Sequence, residues 1–216
     1  ILVLMSGSAV AVNWAHEHVA AIVETWYPGE EGGTAVADVL FGDYNPAGRL
    51  PVTFYKGIHQ LPDFRDYRMA NRTYRYFRGD PLYPFGYGLS YTSFRYRDLK
   101  MDSVPEGVRV RVQLQNTGKR AGDEVVQVYV SDRDAGHPVP IRALKAFQRV
   151  HLKPGEKKRI EFVLGPDAFL RIYPDGPEAV EAGAFEISVG GGQPLATVET
   201  TSGSPLTGTY RFKPSA

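Results

Sequence analysis

Residues 108–118 read VRVRVQLQNTG, and this stretch decides the fold of the larger part of the chain. Val108, Val110, Val112 and Leu114 alternate with Arg109, Arg111, Gln113 and Gln115, the period of a strand with one face inward and one in water. Asn116-Thr117-Gly118 then turns the chain. The alternation returns at Val126, Val128 and Val130, at Ile160, Phe162 and Leu164, and at Phe185, Ile187 and Val189. Lys153-Pro154-Gly155-Glu156 reads as the turn between two such strands. From Thr92 onward, short alternating strands separated by turn signals predict a β-sandwich of roughly 100 to 120 residues.

Upstream the punctuation differs. Ile1 to Met5 is a continuous apolar run that turns at Ser6-Gly7-Ser8, as expected of a strand buried on both faces. Ala20 to Tyr27 is a second such run, closed by Pro28-Gly29. Between Thr34 and Phe41 the pattern turns helical, with Val36, Val39 and Leu40 on one face, Thr34 placed to cap the start and Gly42 to end it. A turn cluster at 43–48 leads to a further strand candidate, Leu50 to Tyr55. Strand, strand, helix and strand form part of an α/β layered sheet, too short to be a whole one. The chain opens inside an element with no initiator methionine, which implies a fragment or a subunit that pairs with other sequence.

Composition narrows the function. Apolar residues make up 43% and charged residues 23% of the 216, and the net charge is +1, so a dedicated polyanion binder is disfavoured. Without cysteine there is no disulfide, thiolate nucleophile or cysteine-held zinc. No apolar run approaches the roughly 18 residues of a membrane span. Local candidates for chemistry have plainer readings. Glu30 and Glu31 sit in a Gly-rich turn before the helix and read as exposed carboxylates favoured by its dipole. Gly29, Gly32 and Gly33 fit no phosphate-loop spacing. His16-Glu17-His18 places its imidazoles two apart instead of the four that one metal ion needs on a helix, so a solvated loop is expected. Ser6 and Ser8 do not form a nucleophile elbow.

Four segments resemble glycoside hydrolase family 3 in colinear order. WYPGEEGGTAVADVLFGDYNPAGRLPVTF (26–54) resembles the end of its α/β sandwich domain, and YPFGYGLSYTSF (83–94) the junction that follows. NTGKRAGDEVVQVYVSD (116–132) and LKAFQRVHLKPGEKKRIEF (144–162) resemble its fibronectin type III-like domain. The resemblance implies the C-terminal portion of a retaining β-glycosidase, of β-glucosidase or β-xylosidase type, acting in the complete enzyme on a β-linked oligosaccharide or aryl glycoside. It also implies that the aspartate nucleophile and glutamate acid/base lie before Ile1, in a missing barrel and upstream sandwich portion. Retention needs two carboxyl groups roughly 5 Å apart, so this chain alone is expected to be inactive. No cofactor, metal, nucleic acid or membrane is expected. The resulting organisation is an α/β fragment at 1–64, an ordered connection at 65–91 and an immunoglobulin-like, fibronectin type III-like sandwich at 92–216. The alternative is a stand-alone carbohydrate- or protein-binding module.

The connection has an unusual composition, with Arg65, Arg68, Arg72, Arg75 and Arg78 interleaved with Phe64, Tyr67, Tyr74, Tyr76 and Phe77. Asp63, Asp66 and Asp80 in the same stretch weaken a nucleic-acid reading. The favoured reading is domain glue, with arginine forks pairing carboxylates on the missing barrel. Arg72 and Tyr74 are the candidates to reach an outer sugar subsite. Asn71-Arg72-Thr73 is formally a glycosylation sequon.

Overall fold

The computed structural model describes residues 1–173, 178–195 and 200–213. Its first part is sparse in regular structure: strand β1 (Leu2–Leu4), helix α1 (Asn13–His18), strand β2 (Ile22–Glu24), helix α2 (Gly32–Phe41), a 3-10 turn at Ile58–Gln60 and helix α3 (Thr73–Tyr76). β1 and β2 pair in parallel, Leu2 opposite Ile22 and Leu4 opposite Glu24. All six strand positions are half-buried, although their apolar runs read as buried on both faces. Ile1, Met5, Tyr27 and Phe41 are exposed around them. Helix α2 ends at Gly42, as its sequence predicts, in the left-handed conformation with φ +86°. Its start differs: Glu31 is the N-cap residue, and Thr34 lies inside the first turn, where its hydroxyl donates to the Glu31 carboxylate at 3.0 Å.

Leu50 to Tyr55 is extended but forms no regular strand. It lies against 82–87 through Leu50 N–H to Tyr87 O, Gly86 N–H to Leu50 O and Phe54 N–H to Tyr83 O, and its one bridge pairs Phe54 with Tyr83. Pro51 and Pro84 supply no N–H at those positions, so a continuous ladder cannot form. The His16-Glu17-His18 stretch is helical, not a loop. Only Ala15 of that helix is buried, so it leaves no apolar periodicity to read.

The second part is a β-sandwich. Its strands are β3 (Phe94–Val104), β4 (Gly107–Asn116), β5 (Gly122–Asp132), β6 (Ala143–Leu152), β7 (Lys157–Leu164), β8 (Leu170–Ile172), β9 (Glu178–Val180), β10 (Gly183–Gly190) and β11 (Leu206–Phe212). One sheet runs β11-β10-β5-β6, the facing sheet β3-β4-β7, and β8-β9 is a separate short hairpin. The alternating valines behave as their pattern requires: Val108, Val110, Val112, Leu114, Val126 and Val128 lie wholly inside, packed with Ile160, Leu164, Phe185, Ile187 and Val189. Asn116, fully buried, organises the β4–β5 turn by donating to Arg120 O and Leu152 O and accepting from Gly118 N–H.

Two strands depart from alternation: β10 also buries Ser188 between Ile187 and Val189, and β5 departs further. On β5 the outward residues Gln127, Tyr129 and Ser131 are buried as well. The connection that follows the α/β part covers that face, so β5 is walled on both sides.

The sandwich therefore holds nearly all the close-packed apolar volume. Leu114→Ala should cost about 2–5 kcal/mol, the range for truncation in a packed core. Val3→Ala, on a half-exposed strand, should cost about 1 kcal/mol or less. Urea denaturation of each variant, followed by circular dichroism, checks the contrast.

Candidate functional site

The residues that join the two parts come from the turn cluster and the connection. Arg49 follows Gly48 and reaches the end of the inter-sheet core. There its guanidinium meets Glu124 of β5 at 3.0 Å, with side-chain exposures of 7% and 0%. Arg49 also donates to the Gly191, Ala47 and Gly48 carbonyls. The other Glu124 oxygen accepts from Tyr96 Oη of β3 and from Ser202 Oγ, both at 2.9 Å. Three segments thus converge on the carboxylate that β5 presents, and each buried polar atom of this group finds a partner. Burial pushes the Glu124 carboxyl up from its ordinary value, against the pull of Arg49, Ser202 and Tyr96 toward the ionised form. Burial, with the Glu124 charge beside it, drives the Tyr96 hydroxyl far up, so it stays protonated and donates. Glu124 is walled off from solvent, which excludes it as an acid or base for an external substrate.

A second contact covers the outer face of β5. Gly86 takes a left-handed φ of +80°, and its carbonyl accepts from Gln127 Nε2 at 3.0 Å. A Cβ there would stand 2.3 Å from Gln127 Oε1, so the close approach requires glycine. Gln127 Oε1 in turn accepts from Tyr129 Oη. Gln193 donates to Phe85 O at 2.8 Å and accepts from Arg142 at 3.0 Å. Further along, Asn45 donates to Ala121 O and accepts from Tyr91 N–H, while Arg120 donates to Gly42 O at the end of α2.

The predicted site residues fall into this junction in different ways. Tyr74 is half-buried: its ring stacks on Phe85 with centroids 4.1 Å apart, its edge meets Tyr129, and its hydroxyl accepts from Leu144 N–H at 3.0 Å. Arg75 O accepts from Ile141 N–H, adding a second tie to β6's approach. Arg72 donates to the carbonyls of Asp63, Asp66 and Arg68, closing its own loop. Arg65 and Arg68 pair with Asp63 and Asp66 two residues back, so these two forks find their carboxylates inside the connection. The Arg68 hydrogen bonds hold the pKa of the half-buried Asp66 carboxyl at about 2. Phe64 and Tyr67 stand out from the same loop, nearly fully exposed. Asn71 of the sequon donates to Gln60 O and accepts from Arg78 N–H.

The remaining candidates stay apart. Glu30 and Glu31 are exposed. Ser6 bonds the Glu24 carboxylate and Ser8 O. His18 stacks on Trp14 at 4.7 Å, whereas His16 bonds the Tyr83 hydroxyl at 2.9 Å, so the two imidazoles serve different neighbours. Among the described residues no group of three or more His, Cys, Asp or Glu could hold a metal ion. None of their helices is long and apolar enough to cross a membrane. Arg49, Glu124, Gln127 and Gly86 carry the junction and were not legible as site residues. The one signal, for Glu124 and Gln127, is a carboxylate and an amide flanking the Val125-Val126 pair of a valine-rich strand.

Comparison with known proteins adds to this geometry. Residues 1–91 match the family model described as Glycosyl hydrolase family 3 C-terminal domain, and residues 124–193 the Fibronectin type III-like domain. A xylan 1,4-beta-xylosidase of Xylanibacter ruminicola is 51% identical over 72% of this chain and 18% of its own length. A periplasmic beta-glucosidase of Salmonella typhimurium is 40% identical over 88% of this chain and 27% of its own. The solved structure of beta-glucosidase 3B from Thermotoga neapolitana in complex with glucose superposes with a TM-score of 0.85 at 35% identity, covering 98% of this chain and 32% of that one. The chain thus spans less than a third of the length of each of these relatives.

Glu124→Gln removes the negative end of the buried pair while keeping its shape. It should destabilise the chain by about 3–5 kcal/mol, because Arg49 is left charged and enclosed. Combined with Arg49→Met it should lose less than the two single changes summed, a coupling of roughly 0.5–3 kcal/mol in a double-mutant cycle by thermal denaturation.

Proposed function

Since the chain belongs to glycosyl hydrolase family 3 through its C-terminal domain, we propose that it is the C-terminal portion of a retaining β-glycosidase of β-glucosidase or β-xylosidase type. Its role there is structural: it completes the α/β sheet and supports the substrate cleft, while the bond-cleaving carboxylates belong to sequence outside these 216 residues. The division into an α/β portion at 1–64, a connection at 65–91 and a sandwich at 92–216 is part of the same reading.

One observation carries it. A finished, densely packed sandwich is joined by a buried ion pair to Arg49, in a part of the chain whose two-stranded parallel sheet is half open at every position. Parallel sheets are ordinarily covered on both faces, so β1 and β2 fit as members of a larger sheet supplied by the same enzyme. The names of the relatives above agree with glucoside and xyloside chemistry. A stand-alone binding module would need that sheet closed, and the exposed Ile1, Met5, Tyr27 and Phe41 disfavour it.

Two measurements test the reading. The 216-residue chain alone should give no turnover of an aryl β-glucoside or aryl β-xyloside. Adding the separately purified upstream portion should raise that portion's activity, and hydrolysis by the chain alone would refute the assignment. Arg72 and Tyr74 remain in the proposal beside the cleft. Arg72→Lys in the complete enzyme should raise KM severalfold with kcat held if the side chain contacts an outer sugar, a loss on the order of 1 kcal/mol of uniform binding. A lowered melting temperature with KM unchanged would make it an anchor only.

A further inference from the structure

The α/β part and the segment that follows it also form an open cavity of about 770 Å³, walled by helix α1, the residues around the 3-10 turn and the segment 80–87. Its volume lies in the usual range for small-molecule sites. The three walls are tied to one another. Asn13 of α1 donates to Lys56 O at 2.7 Å, His16 of α1 bonds Tyr83 at 2.9 Å, and Lys56 pairs with Asp80 at 2.6 Å. Gln60 accepts from Lys56 N–H and donates to Asp80 O, locking the turn beneath. Tyr83 and Tyr87 lie nearly parallel, 5.4 Å between centroids.

Within this frame two polar groups are uncommitted. Glu17 and His59 line the cavity and make no hydrogen bond or ion pair among the described residues. Lys56 and Asp80 cancel, so with neutral imidazoles the lining carries one net negative charge, from Glu17. That charge disfavours phosphate, carboxylate and other anionic ligands. No group of three metal-ligating side chains is present among the described residues, which disfavours a cation held by coordination. What the lining offers is a mixture of acceptors, donors and tyrosine rings, the complement of a neutral polyhydroxylated molecule with apolar ring faces.

We infer that this cavity is an accessory binding site for a neutral mono- or disaccharide, with Glu17 and His59 bonding its hydroxyls and the Lys56–Asp80 pair fixing one wall. The chemical class follows from the cavity itself, and the choice of β-linked disaccharides as probes rests on the glycosidase reading. Partial burial raises the Tyr83 hydroxyl above its ordinary value, so it remains a neutral hydrogen-bonding group.

The test uses the complete enzyme after its nucleophile has been trapped with a 2-deoxy-2-fluoro glycoside, so that the catalytic cleft is filled. Cellobiose and xylobiose are titrated by saturation-transfer NMR, with tetramethylammonium as the probe for a simple cation. Saturable disaccharide binding, on the order of 1 mM, is expected. It should weaken roughly tenfold in Glu17→Gln and in His59→Ala, each losing one hydrogen bond, while the untrapped variants keep their kcat/KM for an aryl glycoside. No saturable disaccharide binding, binding unchanged in both variants, or binding of tetramethylammonium alone overturns the inference. Failure of the trapping reagent to inactivate would instead count against the glycosidase reading. The same titration on the untrapped protein would then still score the cavity.

Discussion

The Arg49–Glu124 ion pair is the constraint on which the arrangement of the two parts depends. Its carboxylate stands on β5 of one sheet and accepts from Tyr96 of the facing sheet and from Ser202 in the turn before β11. Its guanidinium belongs to Arg49, directly after the turn cluster that follows α2. Enclosing two opposite charges gives little net stability, since desolvation offsets most of their attraction. Its effect is on specificity: any other placement of the turn cluster would leave a charge enclosed without a partner. The neighbouring Gly86–Gln127 contact has the same character at short range, because only a residue without a side chain lets the backbone come that close.

This explains which features were legible in advance. Period-two alternation at 108–114, 126–130 and 185–189 reports one face turned inward, and each stretch lies in the core as read. A polar residue on the opposite face says only that it is not in that core. Gln127 and Tyr129 read as solvent-facing, yet the connection covers them, and nothing local in the sequence distinguishes a wetted face from one covered by a distant loop. The Leu50–Tyr55 reading counted apolar residues and overlooked how Pro51 and Pro84 remove ladder donors. At α1 the reverse held: a short exposed helix has no apolar stripe, so His16 and His18 looked like a loop.

The arginines of the connection illustrate a further limit. Their density suggested forks reaching out to carboxylates elsewhere, and two of them instead close turns within their own loop, Arg65 on Asp63 and Arg68 on Asp66. Exposed pairs of this kind contribute little to stability. Their consequence is geometric, since with Arg72 spanning three carbonyls they hold in one shape a loop whose Phe64, Tyr67 and Met69 are exposed. The attachment itself comes from rings and main chain: Tyr74 stacked on Phe85, and Arg75 O bonded to Ile141. Composition could suggest only that such a segment packs, and the packing itself decides which of its residues bind it in place.

The spacing along the chain of the groups around Glu124 has a bearing on biosynthesis. Arg49 precedes Glu124 by 75 residues, and Ser202 follows Glu124 by a further 78. At ribosomal speeds of roughly 5–20 residues per second, Arg49 leaves the tunnel on the order of ten seconds before its full receptor exists. Through that interval the Arg49 guanidinium has no carboxylate of the sandwich to meet. Docking must await closure of the sandwich, so vectorial synthesis makes the later of these two modules the one that fixes the earlier in position.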